Sequence, residues 1–252
     1  MPSLEELTDK PSAKKPMAII HGPNGVGKTS FAASAETPVI LATEQGADYI
    51  NVKRAAVKSY NEMLEWIKFL ATSENPYKTI IIDSLDHFEP MLHTQIETDQ
   101  NKKLDQVNGG YYRWRAEARI YWAKFLEYLS KWSARKGGSV IMLAHPMIKE
   151  ISDPRIDTYS KYVLKLDDKA CDFLTESVDL VGFMDISITT TDTTDADRKR
   201  AVSNGKRRLY LNECPAYLAK RRPPGLPDYI DLPSAAEGYA NFKTAWEKSV
   251  GV

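Results

Sequence analysis

Four short apolar runs punctuate the first 145 residues, at 17–20 (MAII), 38–42 (PVILA), 79–82 (TIII) and 139–144 (SVIMLA). Each is too short for a helix and lacks the alternation of a half-exposed strand, so each predicts a strand buried on both faces. Between them the composition turns helical, at 28–35, at 61–70 and over a long stretch, 111–133. In the last, Ala118, Trp122, Phe125, Leu129 and Trp132 recur at alternating spacings of four and three, which puts them on one helix face turned to the core. Asn108-Gly109-Gly110 precedes this helix and Gly137-Gly138 ends it. Strands alternating with helices predict an α/β domain of three layers around a mainly parallel sheet.

The pattern changes after Pro146. Residues 147–170 are polar, mixed in charge and weakly periodic, which predicts a mobile loop. Residues 179–186 and 208–212 read as two strands, joined through the Thr/Asp-rich stretch TTTDTTDADRKR; these predict antiparallel strands at the C-terminal edge of the sheet. A polar lead-in (1–16), a single domain (17–232) and a helical tail (233–252) complete the expected organisation, with no internal repeat.

Composition narrows the function classes only a little. Lys plus Arg and Asp plus Glu each number 34, so no global field draws the chain to nucleic acid or membrane, and any such attraction must come from a local cluster. No run reaches transmembrane length and the first residues lack the apolar middle of a signal peptide. Cys171 and Cys214 form neither a disulfide framework nor a metal-ligand spacing. The cytoplasm, or a host cell's cytoplasm, is the expected compartment.

Residues 22–29, Gly22, Pro23, Asn24, Gly25, Val26, Gly27, Lys28 and Thr29, come directly after the first strand and, with Ser30, open a helix. The spacing G-x-x-x-x-G-K-[ST] turns successive backbone N–H groups onto phosphate oxygens, while the helix N-terminus adds a favourable dipole. Lys28 would reach the β- and γ-phosphates of a bound nucleoside triphosphate, and the Thr29 hydroxyl would ligate Mg²⁺. Asp83, at the end of the 79–82 run, is the second expected Mg²⁺ residue. Hydrolysis also needs a group to handle the attacking water; Ser84 stands next to Asp83, leaving Asp86 or Glu44 as the acids in question. No N-K-x-D motif is evident, which points to ATP rather than GTP.

A phosphate loop, then a strand ending in Glu44 within E-x-x-x-D, then a strand ending in Asp83-Ser84, resembles the RecA/Rad51 recombinase core. The short single-domain form is similar to the phage Sak4-related single-strand annealing ATPases. That resemblance implies a RecA-like P-loop fold and an Mg²⁺- and ATP-dependent, DNA-stimulated hydrolase. It implies single-stranded DNA as partner, a homo-oligomer (filament or ring) and cooperation with a single-strand-binding protein. It makes Glu44 the general base, places Asp48 and Tyr49 near the adenine, and matches His145 to the polar γ-phosphate sensor.

Nine basic residues lie between Arg198 and Arg222, opposed only by Glu213, and Tyr210 and Tyr217 are interleaved. Of these Lys206, Arg207, Arg208, Lys220, Arg221 and Arg222 are candidates for DNA. The segment 219–227 also resembles the closing K-x-R…LP motif of phage recombinase-like ATPases, where basic residues could face a neighbouring subunit's phosphates. The sequence does not choose between these uses and a solvated rim. By position, residues 147–170, with Lys149, Arg155, Lys161, Lys165 and Lys169, form the expected DNA-contacting loop. Two other readings stand: a nucleotide kinase with Arg113, Arg115 and Arg119 as a lid, and a non-catalytic nucleotide switch or loader-like partner.

Overall fold

A computed structural model describes residues 15–45, 49–192 and 199–251. Strands β1 (Met17–His21), β2 (Pro38–Ala42), β4 (Thr79–Asp83) and β5 (Ser139–Ala144) occupy the four apolar runs. With β3 (Lys53–Ala56) and β8 (Leu180–Asp192) they form the parallel part of a nine-stranded sheet ordered β11-β9-β8-β1-β5-β4-β2-β3. β9 (Lys199–Tyr210), the short β10 (Lys220–Arg221) and β11 (Tyr229–Leu232) add antiparallel pairings at the β8 edge.

The parallel strands carry no polar alternation because both faces are covered. Ile19, Leu41, Ile80, Ile82, Val140 and Met142 pack under α2 (Tyr60–Thr72), α3 (Leu85–Gln100), α4 (Trp114–Lys136) and α5 (Asp168–Ser177). Their neighbours Ala18, Ile20, Ile40, Ile81, Ile141 and Leu143 pack under α1 (Lys28–Ala33) and α6 (Ala235–Val250). This is the expected three-layer α/β architecture, and the aromatic stripe of α4 lies in the core as its spacing requires, with Trp122, Phe125 and Trp132 at most 1% exposed.

Three features differ from the sequence reading. Residues 147–170 are not a loop: Pro146–Ile151 (β6) and Tyr159–Leu164 (β7) pair as an antiparallel hairpin, and α5 comes after it. Their alternation is split over two six-residue strands with exposed outer positions, so neither stands out alone. Helix α3 is the second, with Leu85, Phe88, Leu92 and Ile96 buried at helical spacing around the internal Pro90 that hides it in the sequence. The third is β3, a polar edge strand of sequence KRAA.

Register aligns the C-terminal ends of the central strands. His21 pairs with Ala144 and Phe183, and Asp83 with Leu143 and Ala42. The loops after β1, β2, β4 and β5 therefore leave along one edge, which is where ligands bind in open parallel sheets.

Phe125 is fully buried against Phe88 (ring centroids 4.8 Å) and Trp122 (5.8 Å). Phe125→Ala should lower unfolding free energy by about 3–5 kcal/mol, read as a reduced urea midpoint at unchanged m-value.

Candidate active site

The loop between β1 and α1 is shaped by close approach and by backbone conformation. A Cβ on Gly22 would overlap the carbonyl oxygen of Met184 on β8, so only glycine lets the two backbones meet there. Gly27, immediately before α1, has φ of 101°, a left-handed value that favours glycine. Lys28 curls back over this loop: its Nζ donates to the carbonyls of Gly22 (2.6 Å) and Pro23 (3.2 Å). Burial lowers the Lys28 pKa, against the opposing fields of Asp83, Asp86 and Glu44.

The Thr29 hydroxyl donates to Asp83 Oδ2 at 2.9 Å, joining the first turn of α1 to the end of β4. Burial raises the Asp83 pKa; the Thr29 hydrogen bond and the charge of Lys28 act the other way. A hydroxyl and a desolvated carboxylate in contact, beside a lysine and a glycine-shaped loop, are the oxygen ligands that suit Mg²⁺ and the cradle that suits a polyphosphate. Residues 22–30 and 83 therefore fit the group that the motif implies. A divalent cation there would offset the desolvation of Asp83.

A second cluster adjoins the first. Thr43 ties the end of β2 to the end of β4: its N–H donates to the Asp83 carbonyl (2.8 Å), and its hydroxyl both donates to the Ser84 carbonyl and accepts from the Ser84 N–H (2.8 Å each). Glu44 comes next, with Oε2 at 3.2 Å from His87 Nδ1. That nitrogen also lies 3.0 Å from Ser84 Oγ. Asp86 anchors His145, accepting from its backbone N–H at 3.0 Å and facing its Nδ1 at 2.9 Å. Burial would raise the Asp86 pKa, but the His145 hydrogen bonds outweigh it and bring it to about 2.

With Nδ1 turned to Asp86, His145 keeps Nε2 for a guest. Glu44, His87 and His145 each offer one donor atom, all within 4.8 Å of one another. Such a group can hold a water, a phosphate oxygen or a cation. His87 escaped the sequence reading; its only signal is its place one residue after Asp86, at the start of the helix beyond Asp83. His21, the last residue of β1, is fully buried, and burial lowers its pKa to about 4, so it stays neutral and bonds the Leu218 carbonyl at 2.7 Å.

The structure thus brings Lys28, Thr29, Asp83, Glu44 and His145 to one edge of the sheet. Tyr49 is fully exposed, and Asp48 lies outside the described residues. Among the described side chains, four basic residues of the tail are engaged by other parts of the fold. Lys220 donates to the carbonyls of Thr175, Glu176 and Val178 at the end of α5, with distances of 2.5–3.1 Å. Arg221 pairs with Asp228 (2.8 Å), and Arg222 with Asp179 (3.5 Å) and the Glu176 carbonyl. Lys220 and Arg221 pair with Val181 and Leu180 at the start of β8, beside the N-terminal part of β1 and not the end from which the phosphate loop leaves. Arg208 pairs with Asp231 (2.9 Å) and covers the Tyr229 ring. Arg198 is outside the described residues.

The sequence matches the AAA domain family over residues 14–223. No curated protein matches the chain. A solved structure titled "Crystal structure of the RadB recombinase" is similar at 12% identity, covering 88% of each chain with a TM-score of 0.46. Among the described residues no helix is long and apolar enough to cross a membrane.

Asp86 has a folded pKa of about 2 against an ordinary 3.8. A depressed carboxylate contributes stability that is present above its unfolded pKa and lost as pH falls through the folded one. Asp86→Asn should therefore be less stable than wild type at pH 6, and the gap should close between about pH 4 and pH 2. Urea titrations of both proteins across that range provide the check.

Proposed function

We propose that this chain, which belongs to the AAA domain family, is an Mg²⁺- and ATP-dependent, recombinase-like hydrolase that binds single-stranded DNA and promotes annealing or strand exchange. The observation that carries the reading is the convergence of Glu44 and His145 beside the Lys28, Thr29 and Asp83 cradle. A phosphate-binding loop alone holds a nucleotide; the neighbouring carboxylate and imidazole are what hydrolysis requires.

In this reading the backbone of residues 22–29 and Lys28 bind the β- and γ-phosphates, and Thr29 and Asp83 hold Mg²⁺. Held there, Mg²⁺ would supply charge neutralisation for the phosphates. Glu44 orients a water and accepts its proton as the water oxygen bonds to the γ-phosphorus. The bond to the β,γ-bridging oxygen breaks, giving ADP and inorganic phosphate. His87 and Thr43 fix the position of Glu44, and Asp86 orients His145 towards the γ-phosphate.

The DNA side is read from the β6–β7 hairpin. Strand β6 starts at the residue after His145, and the Lys165 N–H donates to the His145 carbonyl at 2.9 Å, so the hairpin is rooted at the sensor. A change at the γ-phosphate is thereby coupled to the hairpin, whose turn carries the exposed Arg155, itself paired with Asp153 (2.8 Å). Of its other cations, Lys149 and Lys161 are neutralised by Asp168 and Glu213. The functional form is a homo-oligomer, filament or ring, working with a single-strand-binding protein in a cytoplasm, that of the host if the gene is a phage's. Against the kinase reading, two of the three lid arginines are engaged on the seam between α4 and α5: Arg115 pairs with Asp167 (2.7 Å) and Arg119 covers Phe173.

ATP hydrolysis by wild type should rise on adding single-stranded DNA. Glu44→Gln should lower it by about 10²-fold or more while ATP binding persists. Turnover indifferent to both DNA and the substitution would sink this reading and favour a nucleotide switch.

A further inference from the structure

Arg207 sits where the basic cluster meets the phosphate loop. Strand β9 brings it opposite Ile186 on one side and Leu232 on the other. Its Nη1 lies 3.7 Å from the position a Cβ on Gly27 would take. Gly27 is the last loop residue before Lys28, so the guanidinium flanks the cradle of its own chain from the antiparallel edge of the sheet. Beyond it opens a groove of about 370 Å³ lined by Gly205, Lys206, Arg207, Asp231, Leu232 and Pro233.

The neighbouring cations are committed elsewhere. Arg208, Lys220, Arg221 and Arg222 are held by carboxylates or helix-end carbonyls, and Lys206 is also engaged. Arg207 is exposed and has no ion-pair or hydrogen-bond partner among the described residues. The site is meanwhile rich in negative charge: Asp83, Asp86 and Glu44 all act on Lys28. A polyphosphate adds several more charges, which one lysine balances poorly. A guanidinium matches phosphate oxygens two at a time, and at short range it holds them through charge-assisted hydrogen bonds.

We infer that Arg207 binds, within its own chain, the phosphates of the nucleotide held by residues 22–29, rather than DNA or the nucleotide of a neighbouring subunit. The inference rests on the nucleotide reading above. It separates Arg207 from Arg208, Lys220, Arg221 and Arg222, which are held within the fold.

The test is equilibrium binding of a fluorescent ATP analogue to the full chain and its Arg207→Ala and Arg207→Lys variants, without turnover as a readout. Because the side chain is exposed, folding should be unchanged, as circular dichroism can show. Arg207→Ala should weaken ATP binding about ten- to a hundredfold, the range for hydrogen bonds to charged groups, with partial recovery in Arg207→Lys. Mixing Arg207→Ala with Lys28→Ala subunits should restore no tight binding, because each mixed site still lacks one cation of its own chain. Recovery in the mixture would place Arg207 in the neighbour's site and overturn the inference. So would unchanged ATP affinity in Arg207→Ala, with or without weaker DNA binding. Failure of wild type to bind the analogue would instead remove the nucleotide reading itself, and this inference with it.

Discussion

The hydrogen bond from Thr29 to Asp83 spans a gap in the sheet. β1, which delivers the phosphate loop, and β4, which delivers Asp83, are not neighbours; β5 lies between them. The contact exists because register through Leu143 and Ala144 of β5 keeps His21 and Asp83 within one residue of a common level, and because α1 packs across β2, β4 and β5. His145 emerges from the intervening strand and Glu44 from the strand beyond β4, so four loops converge on one space. A shift of one residue in a pairing would exchange the two packed faces of a strand and carry its C-terminal loop away from the others, so the packing of the strands and the site geometry are set together.

Convergence of charge has a cost. Lys28 and Asp83 are both largely withdrawn from water, and burial pushes each toward its neutral form. Their attraction and the Thr29 hydrogen bond offset this only in part. A cation and a polyphosphate complete the charge arrangement better than the protein alone does, so the site stores a preference for both. Asp86 is the counterexample: equally hidden, it gains two hydrogen bonds from one residue, His145, and stays ionised. The pair forms a fixed support for a sensor while the cradle beside it remains hungry for a ligand.

How legible each feature is in the sequence depends on how it is built. Continuous apolar runs exist because the strands are covered on both faces, and the phosphate loop has a spacing dictated by backbone geometry; both were readable. Pro90 masked α3, and with it the placement of His87 against Glu44. The hairpin β6–β7 has short strands whose outward positions include apolar Ile148 and Tyr162, so no clean polar alternation marks them. The tail cluster misled in another way. A count of nine cations suggested a field, but Arg208, Arg221 and Arg222 find acids elsewhere in the fold, Asp231, Asp228 and Asp179. Charge read along a chain does not report pairing across it. The long strands 180–192 and 199–210 extend well beyond the expected 179–186 and 208–212, because Thr-rich polar sequence can pair as a ribbon without any hydrophobic signature.

The central claim, a cradle built for Mg²⁺ and a nucleoside triphosphate around Thr29 and Asp83, is tested most directly by calorimetric titration of ATP with and without Mg²⁺. Wild type should bind ATP more tightly when Mg²⁺ is present, and Asp83→Asn should lose that dependence while keeping a weaker, Mg²⁺-independent affinity through Lys28. Equal affinity with and without Mg²⁺ in wild type, unchanged in Asp83→Asn, would contradict the account.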